Sequence, residues 1–135
     1  MIGVIADESK LKMLDNELAN PPFDTLNMGL YTNTLTPAHG TVIGDLTEPT
    51  HGGYGQQTVA GWGSATLTGD FHALAVATNV VFSNTTGSDS ALIKGWFYRD
   101  TTANKLVAAA TFDTPFVIPA GGSVTLTPKF RKTGE

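Results

Sequence analysis

The chain has 135 residues and a mass of 14.2 kDa, a size typical of one domain, and 41% of its residues are hydrophobic. It contains no cysteine, which excludes disulfides, a thiolate nucleophile and a cysteine-ligated zinc site. Its net charge is -4 with only 15% charged residues, and its 20 threonines and 15 glycines favour short strands and many turns.

The charges are distributed unevenly along the chain. No lysine or arginine occurs between Lys12 and Lys94, and most of the basic residues follow from Lys94 onward. A nucleic-acid-binding protein needs a basic face to neutralise phosphates, and most of this chain offers none. No apolar run approaches the roughly 18 residues of a spanning helix, and the N-terminus lacks a signal-peptide pattern. We therefore expect no nucleic-acid partner, no membrane insertion and no Sec-type secretion.

The first 25 residues contain the best helix pattern of the chain. Leu11, Leu14 and Leu18 recur on one stripe, and Pro21-Pro22 ends the pattern because proline removes a backbone donor. A helix of about 12 residues is marginal alone, so its leucine stripe must dock. The docking site is either the chain's own β domain or a neighbouring subunit.

From residue 26 the hydrophobic period changes to two, which predicts strands. The first strand starts at Leu26 and ends at Thr32-Asn33; residues 36–55 predict a long surface loop with a helical turn at Val42 to Leu46. Further predicted strands are Gln56 to Trp62, Ala65 to Leu67, Phe71 to Ala77, Val80 to Ser83, Ala91 to Tyr98, Lys105 to Phe112, Phe116 to Ile118 and Ser123 to Phe130.

This number of short strands predicts a mainly β fold, a β-sandwich or jelly-roll-like domain with one short N-terminal helix. We assign residues 1–25 to an N-terminal helical arm and residues 26–135 to the β-sandwich domain.

Three positions carry specific predictions. Gly95, inside a strand, indicates a bulge or a close backbone approach. The run Asp100 to Asn104 predicts the turn of a hairpin. Pro128 cannot donate to a ladder, so the last strand lies at an edge or leaves its sheet there.

The aromatic residues have two interpretations. Regular alternation places Trp96 and Tyr98 opposite Ile93 and Phe97, so both faces of that strand are apolar, which indicates a central strand or one covered by a partner. Tyr31 and Tyr54 lie beside turns and are candidates for exposure.

A search for catalytic and ligand-binding patterns leaves weak candidates only. The sequence has no G-x-S-x-G elbow, phosphate-binding loop or H-x-x-x-H pair. His39 and His51 share a loop with Asp45 and Glu48, and these four could converge on a metal, but solvated loop residues are the far more common explanation of such a set. Residues 84–90 offer oxygen ligands for calcium, but turn chemistry explains them too. We assign no catalytic residue, no cofactor and no metal ligand.

The order of short motifs across the β region resembles small structural proteins of tailed bacteriophages. The motifs are LYTN, a T-P turn, DLTEPTHGGYG, VAGWG, VVFSNTTG, LIKGWFYRD, LVAAATFDTPF and IPAGGSVTLTPKF. They cover about three quarters of the chain. The resemblance leaves capsid decoration protein, head fibre and tail component open.

The resemblance implies a non-enzymatic virion protein, above all a capsid decoration (cement) protein. Such a protein is assembled in the host cytoplasm and binds the outer shell as a homo-oligomer, with a trimer favoured. Its partners would be the major capsid protein or other virion proteins. The predicted interface residues are Leu11, Leu14, Leu18, Tyr54, Trp62, Trp96, Lys129, Arg131 and Lys132.

Two alternatives belong to other classes of protein. A receptor- or carbohydrate-binding module of a fibre would expose aromatic side chains near Tyr54, Trp62 or Trp96. A small metal-dependent hydrolase would hold a metal at His39 and His51.

Overall fold

A computed structural model describes residues 26–61, 66–67 and 72–133. In these ranges the chain forms nine strands and one 3-10 turn, Ile43–Asp45. The strands are β1 (Leu26–Tyr31), β2 (Gln57–Val59), β3 (Thr66–Leu67), β4 (His72–Val76), β5 (Val80–Ser83), β6 (Ile93–Asp100), β7 (Lys105–Phe116), β8 (Ser123–Leu126) and β9 (Lys129–Thr133).

The mainly β prediction is confirmed, and every strand pairing is antiparallel. β2-β1-β6-β7 form a four-stranded sheet, β3-β4-β9 a three-stranded sheet and β5-β8 a two-stranded sheet. The predicted helical arm over residues 1–25 lies outside the described residues and stays a prediction. Across the described ranges, no helix has the length and apolar character needed to cross a membrane.

The core lies between one face of the four-stranded sheet and the β5-β8 pair. Leu26, Met28 and Leu30 of β1 alternate toward it because successive side chains of a strand point to opposite faces. Val80 and Phe82 of β5 fill it from the other side. Ile93, Tyr98, Val59, Ala77 and Ile118 complete the buried cluster.

Proline 128 separates two strands where the sequence predicted one. β8 ends at Leu126 and pairs with β5, whereas β9 starts at Lys129 and pairs with β4. Because Pro128 has no N–H, it cannot continue the β5-β8 ladder. Its carbonyl accepts a hydrogen bond from the Ala77 N–H at 2.9 Å. The prediction that the strand leaves its sheet at this proline is confirmed.

Two glycine and aromatic pairs pack on the opposite face of the four-stranded sheet. Gly29 pairs with Phe97 and Tyr31 pairs with Gly95, so each ring lies over a glycine in the neighbouring strand. A Cβ on either glycine would overlap the facing ring. Tyr31 is 0% exposed and Phe97 1%, so the predicted exposure of Tyr31 is wrong. The predicted close backbone approach at Gly95 is confirmed.

The chain's own long loop borders this second face. Tyr31 donates its hydroxyl hydrogen to the Leu35 carbonyl at 3.2 Å, and the Lys94 ammonium donates to the Thr34 hydroxyl at 2.8 Å. Burial raises the pKa of Tyr31. The predicted loop and its helical turn are confirmed. β6 lies between β1 and β7, so its two apolar faces are those of a central strand, the first of the two predicted explanations.

Predicted regular alternation along β6 is wrong at its start. The register between β6 and β7 shifts between Ile93 and Gly95, as the bulge prediction required. Ile93 therefore belongs to the same buried cluster as Tyr98, while Phe97 lies over Gly29. The separate strand predicted from Phe116 is wrong too, because β7 continues through Phe116.

Candidate interaction surface

Glu48 and Tyr54, both candidates from the long loop, form a structural network. Glu48 Oε1 accepts hydrogen bonds from the Tyr54 hydroxyl at 2.6 Å and from Gln56 Nε2 at 3.1 Å. The Tyr54 oxygen in turn accepts the Leu30 N–H at 3.0 Å, and its ring stacks on Phe82. Burial and then the Glu48 hydrogen bond raise the pKa of Tyr54 well above its usual range. The predicted exposure of Tyr54 is wrong, because this half-buried ring anchors the loop to the core.

The two histidines of the long loop have different surroundings. His51 Nε2 lies 3.1 Å from the Ser83 carbonyl, so Nε2 carries the proton, and its ring packs edge-on against Tyr54. His39 is exposed. Across residues 26–61, 66–67 and 72–133, no group of three or more His, Asp or Glu side chains could hold a metal ion. The metal alternative gains no support from this part of the chain.

Residues 84–90, considered for calcium, use their oxygens to fasten two loops together. The Asn84 amide donates to the Ser88 and Ile118 carbonyls, each at 2.9 Å, and its Oδ1 accepts the Thr86 N–H and hydroxyl. The Ser90 hydroxyl accepts the Ile118 N–H at 2.8 Å. Asn84 is 1% exposed, and turn chemistry accounts for the motif.

Four of the predicted interface residues lie outside the described residues. They are Leu11, Leu14, Leu18 and Trp62. Their predicted interface role therefore stays a prediction.

The predicted basic tail is a paired strand in the structure. In β9, Arg131 pairs with Leu74 and Lys132 with Ala73. The Lys129 side chain is exposed. All three basic residues belong to β9, which is an edge strand of the three-stranded sheet. This position is compatible with the contact role predicted for them.

Trp96 is half-buried in a small cleft on the core side of the sheet. The cleft is about 220 Å³, and its apolar walls include Met28, Phe112 and Leu126. Tyr98, 4.8 Å from the Trp96 ring centre, fixes the far wall, because its hydroxyl accepts the Lys129 N–H and donates to the Lys129 carbonyl, both at 2.8 Å. Burial raises the pKa of Tyr98 to about 12.

The longest strand, β7, lies at the edge of the four-stranded sheet. Its twelve residues pair with β6 on one side, and no other described strand pairs with it. Lys105 and Asp113 are exposed, and the residues between them, LVAAATF, carry no charge. An edge strand that is long, apolar and uncharged is a template for pairing with another chain.

A groove of about 470 Å³ runs along this edge. Its walls include Pro37, His39 and Thr41 of the long loop on one side and four successive β7 residues, 106–109, on the other. Successive side chains of a strand point to opposite faces, so four in a row can line one groove only where the groove follows the strand's edge. The groove therefore follows part of the β7 edge, and the loop forms its other wall.

No protein-family model, curated protein or solved structure matches this chain. The β7 edge is a further candidate interaction surface, and no predicted interface residue belongs to it. The sequence signal for this surface is the uncharged stretch between Lys105 and Asp113. A local hydrophobic pattern predicts a strand, but it does not predict the order of strands in a sheet or which strand lies at the edge.

Proposed function

We propose that this chain is a non-enzymatic structural protein of tailed-bacteriophage particles, a capsid decoration protein that binds the outer shell as an oligomer. It attaches to the major capsid protein or to other virion proteins and stabilises the shell by bridging neighbouring subunits. The domain that does this is a β-sandwich of the jelly-roll type, a description that the core between the four-stranded sheet and the β5-β8 pair supports.

The observation that carries the proposal is the open edge of β7. Strand addition is one of the ways in which proteins bind each other, and β7 presents an edge beside an uncharged apolar stretch. Natural monomers usually blunt such edges with charges or prolines. In β7 these residues, Lys105, Asp113 and Pro115, lie toward the two ends, and none of them interrupts the stretch from Leu106 to Phe112.

The polar side chains of the loops support the same interpretation. Glu48, His51 and Asn84, which sequence patterns offered for chemistry, contact backbone or neighbouring side chains of their own domain. Their work is to fasten loops onto the β scaffold. A rigid scaffold with fixed loops suits binding.

The test is to look for the chain in particles assembled under the genome that encodes it. Purified particles are analysed by quantitative mass spectrometry, and a map of the intact particle then locates the chain on the shell. We expect a fixed number of copies per particle at symmetry-related sites. A chain that never co-purifies with particles contradicts the proposal.

A carbohydrate-binding module of a fibre is the second candidate, because the cleft beside Trp96 and Phe112 supplies an aromatic wall. A glycan array tests it, with the Phe112→Ala variant as the matched control. Binding that disappears in this variant supports the module. An empty array counts against it and leaves the shell proposal standing.

A further inference from the structure

The β7 edge is complementary to a second copy of itself. We propose that two copies of this chain associate by antiparallel pairing of β7 with β7 about a two-fold axis at Ala109. This deepens the oligomer named in the proposed function by identifying the partner strand and its register.

Charge complementarity fixes the register. When Ala109 faces its own copy, Lys105 of one copy and Asp113 of the other lie toward the same end of the pair, and the symmetry produces this arrangement twice. Both side chains are exposed in the single chain, so each is available to the partner. Opposite charges on neighbouring strands of an antiparallel pair attract each other.

Side-chain size gives the same register. Three alanines then occupy the centre, and Leu106 and Phe112 lie toward its two ends. Small residues at the axis let the two backbones approach to the usual spacing of about 4.8 Å, while the larger side chains pack toward the ends. No like charges oppose each other anywhere in the paired stretch.

Irregularities on both sides of the centre shorten the paired edge, and two-fold symmetry limits the pairing to two copies. The register of β7 against β6 shifts between Leu106 and Ala108 and again between Thr111 and Phe116. The regular edge is therefore the short stretch from Ala108 to Thr111. A two-fold contact consumes that edge in both copies, so the association closes instead of growing into a fibre.

The first experiment measures mass against concentration for the full chain by light scattering and sedimentation. Because the paired edge is short, we expect a monomer–dimer equilibrium with a dissociation constant on the order of micromolar. A chain that stays monomeric well above that concentration overturns the inference. A trimer, the state favoured by the resemblance, overturns it as well.

The second experiment tests the register by exchanging charges. Asp113→Lys places two lysines toward the same end of the pair, at both ends, and should weaken the dimer roughly tenfold. Adding Lys105→Glu to that variant restores opposite charges and should recover the affinity. A dimer that ignores both changes contradicts the register, and thermal melting of each variant establishes that it is folded.

The third experiment uses the absence of cysteine in the chain. In the Ala109→Cys variant the two thiols face each other across the axis, with Cβ atoms about 5 Å apart, so mild oxidation or a short thiol crosslinker should join two copies. Thr58→Cys, an exposed position on edge strand β2, is the control and should not be joined efficiently. Equal cross-linking of the two variants overturns the inference.

These results are separable from the proposed function. Particle binding is measured on the shell and dimer formation in solution. A folded, shell-bound monomer would overturn the pairing alone, and a β7 dimer absent from particles would overturn the decoration role alone.

Discussion

The four-stranded sheet contains two regions that treat apolar side chains in opposite ways. At the centre, β1 and β6 place aromatic rings over glycines, and Tyr31 and Phe97 disappear from solvent. At the edge, β7 carries alanines and threonine that stay half-buried or exposed beside an open groove. The centre is closed by complementary shapes within one chain. The edge is also apolar, but no described strand pairs with its outer side. We therefore expect substitutions at the centre to change the stability of the fold and substitutions at the edge to change association with a second copy.

The largest loss of stability is expected at the centre of the sheet, where aromatic rings pack on glycines. In Gly95→Ala the new methyl group overlaps the Tyr31 ring, which is fully buried and cannot move aside. We expect a loss of about 3 kcal/mol in the free energy of unfolding, the upper end for overpacking. Chemical denaturation measures it. Gly87→Ala, where a Cβ meets nothing within 4 Å, is the matched control, and equal stability of the two variants would refute the packing.

The next effect concerns the loops that the central sheet supports. Asn84→Ala removes one of the two donors to the Ile118 carbonyl, which keeps the Ser90 N–H, and it removes the side-chain acceptor of the Thr86 N–H and hydroxyl. We expect a loss of about 2 kcal/mol. Asn79→Ala is the control, because Asn79 is exposed and accepts a hydrogen bond from the Thr127 hydroxyl. If both variants unfold at the same denaturant concentration, the role assigned to Asn84 is wrong.

A smaller effect depends on pH at the boundary between the sheets. Burial raises the pKa of Tyr98 to about 12 from 10.0. Between these values the unfolded chain loses a proton that the folded chain keeps, so stability falls as pH rises from about 10 to 12. Tyr98→Phe should cost about 1 kcal/mol at neutral pH, through its lost hydrogen bonds to Lys129, and should make the alkaline fall shallower.

Denaturation at several pH values measures that slope, and tyrosinate absorbance follows the titration directly. The pKa values of Tyr31 and Tyr54 are raised too, so some alkaline loss remains in Tyr98→Phe. An unchanged slope in the variant would show that Tyr98 titrates normally.

The sequence predicted the features that depend on local chemistry. The bounds of β5, the turn after Asp100, the irregularity at Gly95 and the change of sheet at Pro128 each follow from nearby residues. In the turn, Asp100 Oδ1 accepts the Thr102 and Ala103 N–H groups, and Asn104 adopts the positive φ of 51° that asparagine tolerates.

Features that depend on long-range pairing could not be predicted in this way. β1 lies beside β6, more than sixty residues further along the chain, and only that pairing brings Gly29 under Phe97 and buries Tyr31. From the sequence, Tyr54 resembles an exposed turn residue. In the structure its hydroxyl accepts a hydrogen bond from the Leu30 N–H of β1, a contact between distant parts of the chain. The same limit concealed the β7 edge, because a strand becomes an edge only through the order of the other strands.

The smallest effect on stability should accompany the clearest effect on association. The Thr111 side chain is exposed at the edge of the sheet, so Thr111→Lys should change the free energy of unfolding by less than about 0.5 kcal/mol. A lysine on an edge strand blocks pairing with another chain, so this variant should be monomeric at concentrations where the parent chain dimerises. Thr58→Lys adds the same charge to the β2 edge and should leave the dimer intact. If both variants dimerise like the parent chain, the edge of β7 is not the adhesive region, and the contrast between the closed centre and the open edge loses its functional meaning.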